Sequence, residues 1–427
     1  MYARSYLAVL FCAFCETTIG QTRSGGGSET LSDKYPVGAS YAAAPPLIAQ
    51  EKTPATPVSA ARNFLKDVDS APQDPVPNRP TPFAQVQESD ISEPEPWKLF
   101  NTKNIEIGGW SQTGYHTRST GMFNNSPDSV RQHQMWLVAE KVADGSEGMG
   151  FGFRMDYVYG TDGPDSQAFG NPAGAWDEGW DNGAFYGSAI PQLYVEVASG
   201  DFSVKAGHFF TIAGYEVVQS TGNFFYSHAY TMFSAEPFTH TGVLSTYVMG
   251  DLTFYGGWTA GWDTGFATND GNNFLGGVGL DLTDDWNVTY ITTIGRIGNG
   301  TDQQGYSHSI VSKMALSDRL TLINQTDLVD FDGPVSGRRY ATGLNNYLIY
   351  KMNDCWSAGT RFEWFKTEVG PGDAADLYSL TTGLNYKPGA NITLRPEIRW
   401  SRVDDGVLIP TEDNNRYGFG CDAILLF

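Results

Sequence analysis

The sequence predicts an all-β fold: a transmembrane antiparallel β-barrel of about sixteen strands, with fourteen or eighteen as alternative counts. Three observations predict it. Segments long enough to span a membrane as strands, and alternating in polarity, recur from about residue 97 to the last residue. The links between them are short and long by turns. The last segment alternates cleanly and ends on an aromatic residue, Phe427.

The alternation is clearest over residues 148–160, where Met149, Phe151, Phe153, Met155, Tyr157 and Tyr159 alternate with Gly150, Gly152, Arg154, Asp156 and Val158. A period of two puts these two sets on opposite faces of a strand. An ordinary strand runs about 5–6 residues, whereas one that crosses a bilayer needs about 9–11. Sixteen segments of that kind are read at 104–118, 130–142, 148–160, 189–199, 201–211, 241–249, 251–262, 273–283, 286–296, 306–316, 319–329, 340–352, 355–367, 377–386, 391–402 and 416–427. The links at 143–147, 200, 249–251, 284–285, 317–318, 353–354 and 387–390 are short. Those at 161–188, 212–240, 263–272, 297–305, 330–339, 368–376 and 403–415 are long. Short turns on one rim and long loops on the other are the outer-membrane pattern, and an even strand count returns the chain to the short-turn rim. In the last segment Tyr417, Phe419, Cys421, Ala423, Leu425 and Phe427 share one face, opposite Gly418, Gly420 and Asp422.

Composition agrees. Of 427 residues 49 are Gly, aromatics reach 14% and charged residues only 18%, a mix suited to strands and turns. The net charge of −21 excludes nucleic acid as a partner, because phosphate binding needs a basic surface. No stretch is apolar over the length a transmembrane helix requires, which does not bear on strands.

Residues 1–20 read as a signal peptide. Arg4 precedes a short apolar run, Leu7 to Cys15, and a cut is placed near Gly20. Phe11 and Phe14 precede Cys12 and Cys15, where a lipid-attachment site needs a small residue. Residues 21–96 are rich in Pro, Ala and Ser, as in APQDPVPNRPTP and ISEPEP, and read as a disordered linker. Residues 97–427 form the barrel domain. Within it only Cys355 and Cys421 remain; two cysteines build neither a disulfide framework nor a metal site. No cofactor and no metal is expected.

Closing the sheet gives every backbone amide a partner and leaves one face of each strand to lipid and one to the lumen. On that assignment Arg154, Asp156, Arg361, Glu363, Arg395, Glu397 and Arg399 point inward and are the candidate pore-lining residues. Two readings stand side by side: a charged wall that orients solutes, or ion pairs that brace the wall. Both place the charges in water. Trp258, Trp262, Trp286, Tyr350, Trp356 and Tyr386 fall near segment ends and are expected in the interfacial girdles. The link 212–240, IAGYEVVQSTGNFFYSHAYTMFSAEPFTH, is too apolar for an exposed loop. It is expected to fold into the mouth and narrow the pore, lined by Glu216, His228, Glu236 and His240. The link 161–188 holds Asp162, Asp165, Asp177, Glu178 and Asp181 without Lys or Arg and is expected to be a solvated acidic rim.

Several stretches resemble the outer-membrane β-barrel porins described as OmpL-like: AGHFFTIAGYEVV (206–218), NFFYSHAYT (223–231), EPFTHTG (236–242), the opening NIEIGGWSQTGYH and the late LRPEIRW. The resemblance covers 104–427. It implies passive diffusion of small hydrophilic solutes or ions, and no catalytic residues. Outer-membrane lipid, such solutes, an envelope partner for the linker and a homotrimer are the partners this reading brings. An alternative makes the barrel mainly an envelope anchor acting through its linker. A third, an outer-membrane enzyme, would need Ser227 and its neighbour His228 as nucleophile and base, yet adjacent residues of a strand point apart.

Overall fold

The computed structural model describes residues 100–102, 105–267, 270–298, 302–369, 374–405 and 415–427. The expected signal peptide and linker lie outside the described residues. Sixteen strands form the barrel: β1 (Ile105–His116), β2 (Arg131–Lys141), β3 (Met149–Gly160), β4 (Tyr186–Ser199), β5 (Phe202–Phe210), β6 (Thr239–Met249), β7 (Leu252–Thr259), β8 (Asn272–Thr283), β9 (Trp286–Arg296), β10 (Gln304–Ser317), β11 (Leu320–Asp332), β12 (Arg339–Lys351), β13 (Trp356–Val369), β14 (Ala374–Gly389), β15 (Ile392–Asp405) and β16 (Asn415–Leu426). A three-residue strand, Phe100–Thr102, lies beside β1, and a two-residue strand, Asp181–Asn182, beside β4.

Each barrel strand pairs antiparallel with the next in sequence, and β16 pairs with β1 to close the ring. Closure leaves no edge with unpaired amides, which is the condition for strands in hydrocarbon. The seam runs from Gly420 opposite His116 to Leu426 opposite Trp110. Beyond it, Phe427 and Gly109 exchange backbone hydrogen bonds of 2.9 and 2.7 Å. Among the described residues no helix is long and apolar enough to cross a membrane.

The links sort by rim as expected. One rim carries tight turns such as Gly200–Asp201 and Gly250–Asp251, where Gly200 (φ +57°) and Gly250 (φ +61°) take the left-handed conformation that reverses the chain in so few residues. The other rim carries the long links. Strands reach a few residues further toward that rim than the alternation alone suggested, notably in β4, β11 and β13.

The two faces separate as the period of two requires. In β3 Met149, Phe151 and Met155 are exposed, while Arg154 and Asp156 are buried. Trp258, Trp286, Tyr350 and Trp356 are exposed on the outside. Tyr386 stacks on Trp356 at 4.4 Å. Trp262 is different: it is 2% exposed, its indole N–H bonds Thr293 Oγ1 at 3.1 Å, and its ring meets Phe331 edge-on. The girdle expectation fails here because β7 ends at Thr259 and Gly261 (φ +112°) turns the chain inward.

Candidate functional site in the barrel interior

The link between β5 and β6, residues 211–238, lies against the inner wall. Its aromatic and aliphatic residues explain why. Tyr230, Met232, Phe233 and Phe238 are almost fully buried and share a core with inward residues of the wall, among them Trp136, Phe331, Phe365 and Leu377. On another side Ile212 and Ala213 pack on Leu244, Leu275 and Ile291. Near its end the segment makes one short helix, α1 (Tyr230–Ser234). Burying these side chains is the favourable term; the backbone polar groups carried in with them must then find partners in the wall.

They find them on strands all round the barrel. Gly214 N donates to Ser309 Oγ (2.9 Å) on β10 and Tyr215 N to Gln325 Oε1 (2.9 Å) on β11. Ser220 N donates to Gln134 Oε1 on β2 (3.0 Å), whose own amide donates to Val218 O (2.8 Å). Tyr230 N donates to Glu363 on β13 (2.8 Å), and Tyr226 N to Glu397 on β15 (2.9 Å). Asn345 on β12 donates to Thr231 Oγ1 at 2.6 Å. The Tyr226 hydroxyl meets His133 Nε2 of β2 at 2.6 Å.

The candidate pore-lining residues are part of this attachment. Arg361 donates through Nη1 to Glu216 Oε1 (2.5 Å) and Ser227 O (2.7 Å), and through Nε to Glu363 Oε1 (2.8 Å). Arg395 donates to Ser220 O and Asn223 O, both at 2.7 Å, and is paired with Asp422. Arg399 donates to His228 O (2.7 Å) and lies 3.2 Å from Glu363. Asp156 accepts from Gln219 (2.9 Å), Trp136 and Gln192, and Arg154 braces Asp156 and Glu140. None of the seven is more than 8% exposed. The sequence places these charges in water; the structure buries them under the inner segment, each against fixed dipoles or an opposite charge, which is how buried charges are tolerated.

Of the four residues expected to line the segment, Glu216 is the central one. Its carboxylate accepts from Ala229 N (2.7 Å) and Tyr347 Oη (3.0 Å) and meets Arg361. Burial alone would raise its pKa, but the Arg361 charge and hydrogen bonds from His228 and Ala229 override it and hold the group down at about 2. His228 Nδ1 lies 3.4 Å from Glu216 Oε2. Glu236 accepts from Gln325. His240 lies outside the segment: it belongs to β6, and its ring is satisfied by Gly261 O and Thr211 Oγ1, each at 3.1 Å. Ser227 and His228 do not meet as nucleophile and base. Ser227 Oγ accepts from Arg361 and Arg399 while His228 faces Glu216.

The wall residues Gln134, Ser309, Gln325 and Asn345 were not singled out from the sequence. Their inward parity was available, but uncharged side chains of a strand carry no further mark.

The acidic link after β3 also differs from expectation. Asp162 and Asp177 are buried rather than solvated. Asp162 accepts from Gln134 and faces His133 Nδ1. Asp177 accepts from Ala168 N (2.9 Å) and Ile190 N (2.8 Å), and Asp165 from Phe123 N (2.7 Å). These carboxylates fold the loop instead of decorating it. Among the described residues no cluster suited to a metal ion forms. Burial pushes the pKa of Asp165 and of Asp177 up from 3.8 to about 7. A raised folded-state pKa means that the protonated form favours the folded loop. That contribution is complete below about pH 3.8 and is lost as pH climbs through 7. Cleavage within residues 161–188 is therefore expected to be faster at pH 8 than at pH 5 in limited proteolysis normalised to an unfolded substrate; equal rates would refute it.

A family model described as "Putative beta-barrel porin-2, OmpL-like" matches residues 104–427. The chain belongs to this porin family. Solved porins share its fold at low identity. The anion-selective porin from Comamonas acidovorans superposes with a TM-score of 0.55 at 10% identity, covering 76% of this chain and 99% of that one. OmpF of Salmonella typhi, in complex with daunomycin, gives 0.54 at 12%, covering 78% and 100%. The outer membrane channel DcaP of Acinetobacter baumannii gives 0.53 at 11%, covering 78% and 100%. No curated protein matches the sequence. This porin is a protein of the bacterial outer membrane, and its sixteen-stranded wall is the channel-forming architecture of the family.

Proposed function

We propose that this porin lets small hydrophilic solutes or ions diffuse through the outer membrane along a lumen narrowed by residues 211–238. The observation that carries the reading is the attachment of that segment to β2, β10, β11, β12, β13 and β15 from within. A segment so held reduces the free cross-section of a barrel that is otherwise wide enough for water. The seven charged wall residues then act by fixing the constriction, and solutes pass over the polar groups that the segment leaves uncovered. The barrel domain 97–427 carries 20 Lys and Arg against 37 Asp and Glu, so its far field favours cations at the entrance. Ser227 and His228, the pair an enzymatic reading would use, are turned to different partners, which does not favour that reading. Purified protein in planar bilayers is expected to show discrete conductance steps, and reversal potentials in a salt gradient report the ion preference. Folded barrels that stay electrically silent would sink the diffusion reading.

The depth of burial of the inner segment favours a second reading, a barrel that serves mainly as an anchor for residues 21–96. Deleting those residues should release a cell-envelope partner in that case and leave conductance untouched. We also propose that the chain assembles as a homotrimer. OmpT of Vibrio cholerae in its trimer form shares the fold, with a TM-score of 0.51 at 12% identity and coverage of 76% and 99%.

A further inference from the structure

The outer surface of the barrel is not uniform. On β3, β4 and β5 the outward side chains are apolar and exposed, as in Phe151, Leu193, Val195 and Phe202. Across β9 to β12 the same face carries Tyr290, His308, Ser312, Asn324, Thr326 and Asn346. Their direction is settled by their neighbours: Ser309, Gln325 and Asn345 reach the inner segment, so His308, Asn324 and Asn346 project the other way. Their depth is settled by register. Asn324 and Asn346 face each other across β11 and β12. On its own strand Asn346 lies between Leu344 and Leu348, and Asn324 and Thr326 lie between Leu322 and Leu328. This is the middle of the apolar belt, beyond the reach of lipid headgroups.

Part of this patch satisfies itself. Tyr290 Oη and His308 Nδ1 are 2.7 Å apart, Asn324 Nδ2 donates to Asn346 Oδ1, and the Trp286 indole donates to Ser312 at 2.9 Å. The second halves of these groups, His308 Nε2, Asn346 Nδ2 and Asn324 Oδ1, point outward without a partner among the described residues. Hydrocarbon offers them none. We infer that the outer face of β9–β12 is the contact surface for a second copy of this chain. The patch is uncharged and spans four strands that mix donors with acceptors, so in a closed ring of copies one part of it meets a different part of the same face on the next copy. Interhelical contacts inside membranes use the same residue types for the same reason. The inference rests on the assembly proposed above and adds the face that makes it.

Single cysteines placed at Thr326→Cys or Val195→Cys in a full-length Cys12→Ser, Cys15→Ser, Cys355→Ser, Cys421→Ser background and treated in outer membranes with a bis-maleimide test it. Crosslinked oligomer is expected at least tenfold more from position 326 than from 195. In parallel, Asn324→Leu with Asn346→Leu should shift the detergent-extracted protein to monomer in light-scattering chromatography while the folded barrel keeps its heat-dependent gel mobility. Oligomers that crosslink through 195 and not 326, or that survive the double Leu change, would overturn the face and keep the assembly. A protein monomeric in every case would overturn both. Crosslinks from 326 to a different protein would replace the second copy with that partner.

Discussion

Replacing Arg361 by Ala is expected to loosen the inner segment and raise single-channel conductance several-fold, with added open-channel noise. The side chain is fully buried and stands between Glu216 on the segment and Glu363 on the wall. It also holds the Ser227 carbonyl. Without it the buried Glu216 loses the guanidinium that holds it, while Glu363 keeps Arg399 at 3.2 Å. Breaking a buried pair by removing one partner costs about 3–5 kcal/mol. The backbone ladder of the barrel does not depend on this contact, because β13 keeps its full register with β12 and β14. The cost therefore falls on the segment, which responds by leaving the wall. Arg361→Lys should give a smaller rise, since it keeps the charge but not the fork that reaches several acceptors at once. Bilayer recordings check this, with heat-dependent gel mobility confirming the fold. A folded Arg361→Ala barrel with unchanged conductance would remove Arg361 from its anchoring role.

The second large effect is expected from Gly214→Ala. Gly214 has φ +76°, and a Cβ there would fall 1.6 Å from Glu236 Oε2. Glu236 is itself buried and held by Gln325, and Gly214 N is fixed to Ser309. Relieving the overlap means turning the Glu236 carboxylate, whose other oxygen Gln325 holds, or pulling Gly214 N from Ser309. The left-handed backbone and the overlap together are worth about 2–5 kcal/mol. Gly174→Ala is the control: its φ is +80°, but nothing lies within 4 Å of the added carbon. Denaturant midpoints should drop clearly for Gly214→Ala and only slightly for Gly174→Ala. Equal shifts would mean that the fit against Glu236 does not matter.

Much of the wall was readable before the structure, because a strand with lipid on one side writes its orientation into every second residue. Phe362 outward and Arg361 inward follow from the same period that orders β3. The inner segment could be recognised by its aromatics, but not its attachments. Arg361 finds Glu216 across a separation of 145 residues, and one of its other acceptors is the Ser227 backbone carbonyl, which leaves no trace in a sequence. The same blindness explains Asp177, whose partners are two amide N–H groups. Trp262 was misplaced because a single glycine conformation redirected the chain.

The seam between β1 and β16 bears on how such a molecule comes into being. Gln112 on the first strand bonds Asp422 on the last, 310 residues later, and Arg395 shares that carboxylate. Arg395 also grips the inner segment. The last stave thus meets a ring whose contents are tied to the stave beside it. Contacts so distant along the chain make for slow formation. The enclosed segment works like spokes, holding far sides of the wall at the spacing at which the two ends meet.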